Sequence, residues 1–293
     1  MANTFNVYSK ITELRKRYYN AISGKESLVG LILESEVAEQ VYNSNAIENS
    51  TLSFEETEKI LLQVDLDRFI SQRELFEAKN LARVVGYIQT KAKQQELELE
   101  TILSLHKMLM SNIRDEVAGR FRNNQEWVKV GSQIALDPKQ VKPAVDQMLT
   151  EYKANSDQDI VKRIAKFHLT FENIHPFVDG NGRIGRVLNN YLLIREGFVP
   201  INIKFIERER YYDAFNEFDR QGKTEIMQEI VAKALTNSYH KRLAYLESKK
   251  IIGLKEYAKL ANTTHSNVLN KASRQTIEAF LEKGIWKMAT PQI

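Results

Sequence analysis

Apolar positions recur along most of this chain at the three- and four-residue spacing of amphipathic helices. That spacing predicts helices over "FNVYSKITELRKRYYNAI", "SLVGLILESEVAEQVYNSNAIEN", "SQRELFEAKNLARVVGYIQTKA" and "LELETILSLHKMLMSNI". It continues through "VKPAVDQMLTEYKA", "DIVKRIAKFHLTFENI", "RIGRVLNNYLLIREGF", "ERERYYDAFNEFDRQG" and "TEIMQEIVAKALTNSYHKRLAYLESKK". In "LSFEETEKILL", Ser53 is followed three residues later by Glu56, the spacing of a capping box at a helix start. One stretch, "AGRFRNNQEWVKVGSQIALDPKQ", breaks the period. Trp127, Val128 and Val130 are β-formers there, while Asn123, Asn124, Gly131, Asp137 and Pro138 are turn formers, which predicts a small hairpin or flap.

The last segment, "GLKEYAKLANTTHSNVLNKASRQTIEAFLEKGIWKM", reads as a compact module. Leu254, Tyr257, Leu260, Val268, Leu269, Ile277, Phe280 and Leu281 are its apolar positions, Ser273 is placed to cap a helix from Arg274 to Lys283, and "GIWKM" is a candidate wing strand. The fold class expected is mainly α: a helical body with a small hairpin flap, followed by a helix-turn-helix or winged-helix-like module.

Composition adds exclusions. The chain has 293 residues, 43% hydrophobic and 27% charged, with no cysteine. Disulfides, thiolate metal sites and a cysteine nucleophile are therefore excluded. No apolar run approaches the roughly 20 residues of a membrane span, and the N-terminal residues lack a signal-peptide pattern. The expectation is a cytoplasmic protein with no membrane partner. Net charge is +4, unevenly spread: from residue 242 to 293, nine Lys/Arg face four Asp/Glu, an excess of +5 that leaves −1 for the remainder.

The chemistry concentrates in "HPFVDGNGRIGR", His175 to Arg186. Gly180 and Gly182 flank Asn181 and permit a tight turn that feeds directly into a predicted helix. Free N–H groups at that helix start form an anion site. Arg183 and Arg186, three residues apart on one face, supply two guanidinium forks for a polyphosphate. Asp179 is a hard oxygen ligand beside them, suited to Mg²⁺ shared with phosphates. His175 is suited to take a proton from a hydroxyl near neutral pH. Pro176 and Phe177 stiffen and anchor the connection. These residues together point to transfer of a nucleotide or phosphoryl group to a hydroxyl, without the glycine loops of P-loop enzymes or kinases.

This string resembles the signature of the Fic family, whose members mostly transfer AMP from ATP to protein hydroxyls; the likeness is best over residues 100–215. The resemblance implies a Fic-type helical bundle in which His175 is the general base and Phe177 a buried anchor. Asp179 would hold Mg²⁺, and Gly180, Asn181 and Gly182 would line the phosphate cradle. Arg183 and Arg186 would meet the β- and γ-phosphates, with Asn190 near the nucleotide. Relatives that phosphorylate carry lysine where Gly182 stands, so Gly182 favours AMP transfer. The flap at Trp127–Asp137 would pair with an extended segment of a target protein. Gly119 to Arg122, "GRFR", also recurs in the family.

A second string, "SNAIEN" from Ser44 to Asn49, is similar to the family's inhibitory pattern: Ser or Thr, three residues, Glu, then Gly or Asn. Ser44 and Glu48 share a helix face. The resemblance implies that Glu48 pairs with Arg186 and excludes the productive γ-phosphate pose. In some relatives the same glutamate positions a water that removes AMP.

The expected function is a protein adenylyltransferase acting on Ser, Thr or Tyr hydroxyls and on itself, restrained by Glu48. The alternatives are a nucleotide-sensing, DNA-binding regulator and a de-adenylylating hydrolase using Glu48. Residues 1–98 are expected to form an N-terminal helical region, 99–240 the catalytic core and 241–293 the C-terminal module. His168 and His106 read as packed histidines, and His240 and His265 as exposed. Arg274 and Gln275 open the predicted reading helix, but Glu278 and Glu282 on it favour a protein-binding or dimerising module over one that binds DNA. A homodimer is left open.

Overall fold

A computed structural model describes residues 2–130, 133–247 and 250–290, with side chains from residue 9 onward except residue 133. Its elements, in order, are α1 (Ala2–Ile22), α2 (Glu26–Ile47), α3 (Phe54–Leu61), α4 (Gln72–Lys91), α5 (Leu99–Met110), β1 (Lys129–Val130), β2 (Gln133–Ile134), α6 (Val141–Ala154), α7 (Ile160–Ile174), α8 (Asn181–Arg195), α9 (Arg208–Gln221), α10 (Glu225–Leu246), β3 (Ile251–Gly253), α11 (Leu254–Leu260), α12 (His265–Ser273), β4 (Ala279–Glu282) and β5 (Ile285–Ala289). The fold is mainly helical, as the periodicity predicts. The capping box forms as written: Ser53 Oγ accepts from Glu56 N–H, and the Glu56 carboxylate accepts from Ser53 N–H.

Two compact units result, residues 37–230 and residues 1–36 with 231–293. The N-terminal helix α1 thus belongs with the C-terminal segment, whereas the sequence grouped residues 1–98 together.

In the unit of residues 37–230, α4, α5 and α7 pack on α8, and α6 and α9 pack on α7. Almost all of α8 is buried, and its buried residues include Asn181, Arg183, Arg186, Asn189 and Asn190. Buried amides and guanidiniums need partners, so the helices around α8 must supply them. That requirement shapes the site. β1 and β2 pair antiparallel, Lys129 opposite Ile134 and Val130 opposite Gln133, a hairpin within the expected flap. Gly131, expected as a turn residue, lies outside the described residues.

In the other unit, β3, β5 and β4 form an antiparallel sheet with β5 in the middle. Leu254, Ala258, Val268, Ala272, Ala279 and Met288 form its small core, with Tyr257, Leu269, Ile277 and Trp286 packed against it. Here the structure corrects the sequence reading. The second helix is α12, capped by Thr264 through Asn267 N–H, and not a Ser273-capped helix over 274–283. Residues 279–282 are strand β4, paired with β5 through a turn in which Lys283 (φ 50°) and Gly284 (φ 76°) are both left-handed. That is the backbone of a tight hairpin. The run is short and apolar, with Ala279 and Phe280 both buried; its helical spacing was coincidence. "GIWKM" forms most of β5, as expected. His240 is also corrected: it is buried, with Nδ1 3.1 Å from the Ala279 carbonyl.

Candidate active site

The chemistry-bearing string joins α7 to α8. His175 ends α7 in the left-handed region (φ 50°), its N–H donating to Phe171 O. Such a conformation is uncommon for a non-glycine residue. The chain then turns at Gly180 (φ 81°), where a Cβ would lie 3.2 Å from both Leu109 and Met110 side chains. Only glycine satisfies both demands. Asn181 braces the turn from inside: its Oδ1 accepts from Phe177 N–H at 2.8 Å and its Nδ2 donates to Phe177 O at 2.9 Å. Phe177 is fully buried and stacks on His106 at 3.7 Å. No side chain caps the N-terminus of α8, which leaves its first N–H groups for an anion.

His106 is packed, and it also bridges two loops. Its Nδ1 accepts from Gly119 N–H at 3.0 Å, so Nε2 carries the proton and donates to Asp179 O at 3.0 Å. Arg122, from "GRFR", donates to the carbonyls of His175 (2.8 Å), Leu136 (2.8 Å), Glu126 (3.1 Å) and Ile174 (3.3 Å). One guanidinium thereby ties both ends of the hairpin segment to the backbone of His175.

Arg186 is buried on the inner face of α8. Its Nε donates to Ser44 Oγ at 2.9 Å, and its Nη2 donates to Ser44 O at 2.8 Å and Glu48 Oε1 at 2.9 Å. Nη1 donates to the Tyr211 hydroxyl at 3.2 Å, so that hydroxyl's own proton faces His168 Nε2 at 2.7 Å. The Glu48 carboxylate stands where a side chain on Gly182 would have to go. A carboxylate thus already sits over the first turn of α8. Asn49, which follows it, has φ 68°. The Gly-or-Asn slot of the inhibitory pattern is therefore a left-handed helix end, which those two residues tolerate best. The end of α2 is held further by Tyr212 OH donating to Ile47 O (3.2 Å) and by Arg208 Nη2 donating to Asn49 Oδ1 (2.6 Å).

Arg183 faces a separate network. It lies 3.1 Å from Glu77 and 3.3 Å from Asp179. Arg73, also on α4, donates to Glu77 at 2.9 Å and to Asp179 at 2.8 Å. Burial works to raise the Asp179 carboxyl, but Arg183 and Arg73 outweigh it and hold its pKa below the ordinary value.

Burial lowers the His175 pKa to about 4, so the imidazole is neutral and can accept a proton at pH 7. Glu172, one turn before it, is buried with Oε1 unpartnered. Burial, reinforced by the negative charge of Glu48, raises its pKa to about 8. It is therefore an uncharged acid near neutrality.

Among the residues singled out from sequence, Ser44, Glu48, Gly182 and Arg186 come together, as do Asp179 and Arg183. Asn181 braces the turn from within. Asn190 lines a pocket with Ser44 and Arg186, and its two polar side-chain atoms bond the Ile201 backbone at 2.9 and 2.7 Å. Sequence reasoning missed Arg73, Glu77, Glu172 and Tyr211. Arg73 and Glu77 are an i, i+4 opposite-charge pair on a predicted helix, and Glu172 lies one turn after His168. Both signals were present, but each is common on solvated helix faces.

Residues 96–193 match the Fic/DOC family model. The chain is 28% identical over 213 residues to the protein adenylyltransferase Fic of Nematostella vectensis, covering 71% of this chain and 49% of that protein. It is 30% identical over 230 residues to the protein of the same name from Drosophila erecta, covering 72% and 45%. The chain thus spans about half the length of these curated relatives. Among solved structures, a Fic-domain-containing signalling protein from Bacteroides thetaiotaomicron is similar with a TM-score of 0.74 at 19% identity, covering 82% of this chain and 97% of that one. A Fic family protein from Desulfovibrio desulfuricans is similar over 98% of this chain and 96% of its own, with a TM-score of 0.66 at 18% identity. At such identities the structures speak for the fold, and with the signature, its turn and the matching sequence model they lead to one assignment: the chain belongs to the Fic/DOC family through a Fic domain at residues 96–193.

Proposed function

We propose that the protein is an adenylyltransferase that moves AMP from ATP to a protein hydroxyl and is restrained by Glu48. The observation that carries this reading is the Glu48 carboxylate over Gly182, bonded to Arg186 at 2.9 Å. An anion site already satisfied by an internal anion is a site that can bind a phosphate and can also be blocked. ATP would lie along the Gly180–Gly182 turn, its β-phosphate toward Arg183 and its γ-phosphate competing with Glu48 for Arg186. The neutral His175 would take the proton of a Ser, Thr or Tyr hydroxyl presented along β1–β2, and that oxygen would attack the α-phosphorus as pyrophosphate leaves. Positioning and charge neutralisation supply the rate. Curated relatives named protein adenylyltransferases support the choice of reaction.

The donor set suits Mg²⁺ held jointly with a nucleotide. Asp179 is a single, partly exposed carboxylate at the anion site, and no cluster of three or more metal-binding side chains occurs among the described residues. Asp179 would hold the cation with phosphate oxygens, and the bound metal would neutralise phosphate charge.

Incubation of the wild type, Glu48→Gly and His175→Ala with α-labelled and γ-labelled ATP in lysate tests the proposal. Label from the α-position on protein, strongest in Glu48→Gly and absent in His175→Ala, is expected. Label from the γ-position alone would mean phosphoryl transfer and would overturn it.

A further inference from the structure

The unit that contains α12 carries a second surface whose chemistry the Fic site does not use. The order β3–α11–α12–β4–β5, with β5 between β3 and β4, places two short helices before a hairpin. Val268 and Ala272 bury one side of α12 in the module core. The opposite side presents Asn267, Asn270, Lys271 and Arg274, all exposed and spaced i, i+3, i+4, i+7. His265 and Ser266 extend it toward the helix start and are also exposed.

This face contains no acid. The sequence placed Glu278 and Glu282 on the reading helix, and they weighed against nucleic acid. The structure takes both away. Glu278 lies on Arg17 at 2.5 Å. Glu282 is buried, 2.7 Å from Lys241, 2.8 Å from Lys287 and 3.0 Å from the Tyr245 hydroxyl. The remaining acid of residues 250–290, Glu256, lies on α11, 3.8 Å from Lys250. The segment from 265 to 274 is therefore amides, hydroxyls, one imidazole and two cations on its exposed side.

We infer that α12 is a reading helix for duplex DNA, with the Lys283–Gly284 turn of the β4–β5 hairpin as a flanking contact. An α-helix fits the major groove of B-form DNA, where asparagine pairs with adenine N6 and N7, and arginine or lysine with guanine O6 and N7 or with phosphate. The local excess of basic charge matches a polyanion. A protein-docking face is enriched in aromatic residues, methionine and arginine and depleted in lysine and serine; of the enriched types this face shows Arg274 alone. Among the described residues of this module, the large exposed apolar ones are Leu260 and Ile285, on α11 and β5 and not on α12. The deep, narrow major groove of A-form RNA does not admit a helix. The inference stands independently of the proposed AMP transfer.

The test uses the full chain and a pool of fluorescent duplexes of roughly 30 base pairs with a random core, at about 0.15 M salt. Repeated selection is expected to enrich a shared sequence that the wild type shifts. Asn270→Ala should weaken that duplex about tenfold and relax the preference at one base pair. Lys271→Ala should weaken all duplexes and reduce the slope of log affinity against log salt by about 1. Unchanged circular dichroism would show that these exposed substitutions leave the fold intact. The inference fails if no duplex shifts at low salt, if the variants shift DNA like wild type, or if single-stranded RNA competes as well as duplex. Self-association abolished by Leu260→Asp, without any DNA shift, would reassign the module to protein contact.

Discussion

Glu77 on α4 holds Arg183 on α8 at 3.1 Å, through the same oxygen that accepts from Arg73. A buried guanidinium with a fixed carboxylate partner stays aimed even when no ligand is present. Removing Glu77 leaves Arg183 buried without its main counter-charge. Glu77→Ala should lower kcat/KM for ATP about tenfold or more, with Glu77→Gln intermediate. Labelling kinetics in the Glu48→Gly background measure this without the Glu48 carboxylate over Gly182; equal values for Glu77→Ala and its parent would show that Arg183 needs no such support.

Gly182 shares its space with Glu48. A methyl group there cannot coexist with the observed carboxylate. Gly182→Ala should therefore displace the Glu48 carboxylate and raise ATP-dependent self-labelling above wild type, but less than Glu48→Gly does, because the same methyl narrows the phosphate turn beside Arg186. The same substitution in Glu48→Gly should bring no further gain, because the group it displaces is gone. An identical fractional change in both backgrounds would refute the steric link.

The pH dependence of stability has two arms. Burial lowers the pKa of His106 and His175 to about 4 and of His168 to about 3. Between those values and the ordinary histidine pKa near 6.5 the unfolded chain holds more protons, so stability rises with pH across that window. Glu172 acts in the opposite sense. Its folded pKa of about 8 exceeds the unfolded value, so the folded protein holds the extra proton and stability falls as pH rises from about 4.5 toward 8. Glu172→Gln should raise Tm relative to wild type more at pH 8 than at pH 5. Thermal melts across pH 4 to 9 would record both arms, and a constant Tm difference would disprove the raised pKa.

Arg122 serves four backbone carbonyls at 2.8–3.3 Å. Arg122→Ala should cost about 2–4 kcal/mol of stability, given that hydrogen bonds to a charged group contribute about 1.5–3 kcal/mol each and are not additive. Denaturant midpoints measure the loss. Residual labelling should fall further than stability alone explains, because His175 loses the clamp on its carbonyl.

Much of this fold was legible because helix periodicity is local. Even the contact of "SNAIEN" with Arg186 could be read, since Ser44 and Glu48 declare their shared face by spacing. Arg73 and Glu77 could not be assigned to the site, because what matters is that α4 packs against α8, and packing partners leave no mark in spacing. The C-terminal module failed for a different reason. "IEAFLEKG" satisfies a helical pattern and a short buried strand equally well, and the decisive signal was Lys283–Gly284 as a two-residue hairpin turn.

His175 stands at the end of α7 with φ 50°, a position where glycine would be at ease. A non-glycine residue held there costs roughly 1 kcal/mol or more. The protein is therefore less stable at this point than its own scaffold permits, and His175→Gly should melt at a higher temperature than His175→Ala while being equally inactive. A screen for stability alone would favour glycine at this position, so thermostability screens of this protein need a labelling readout from the first round.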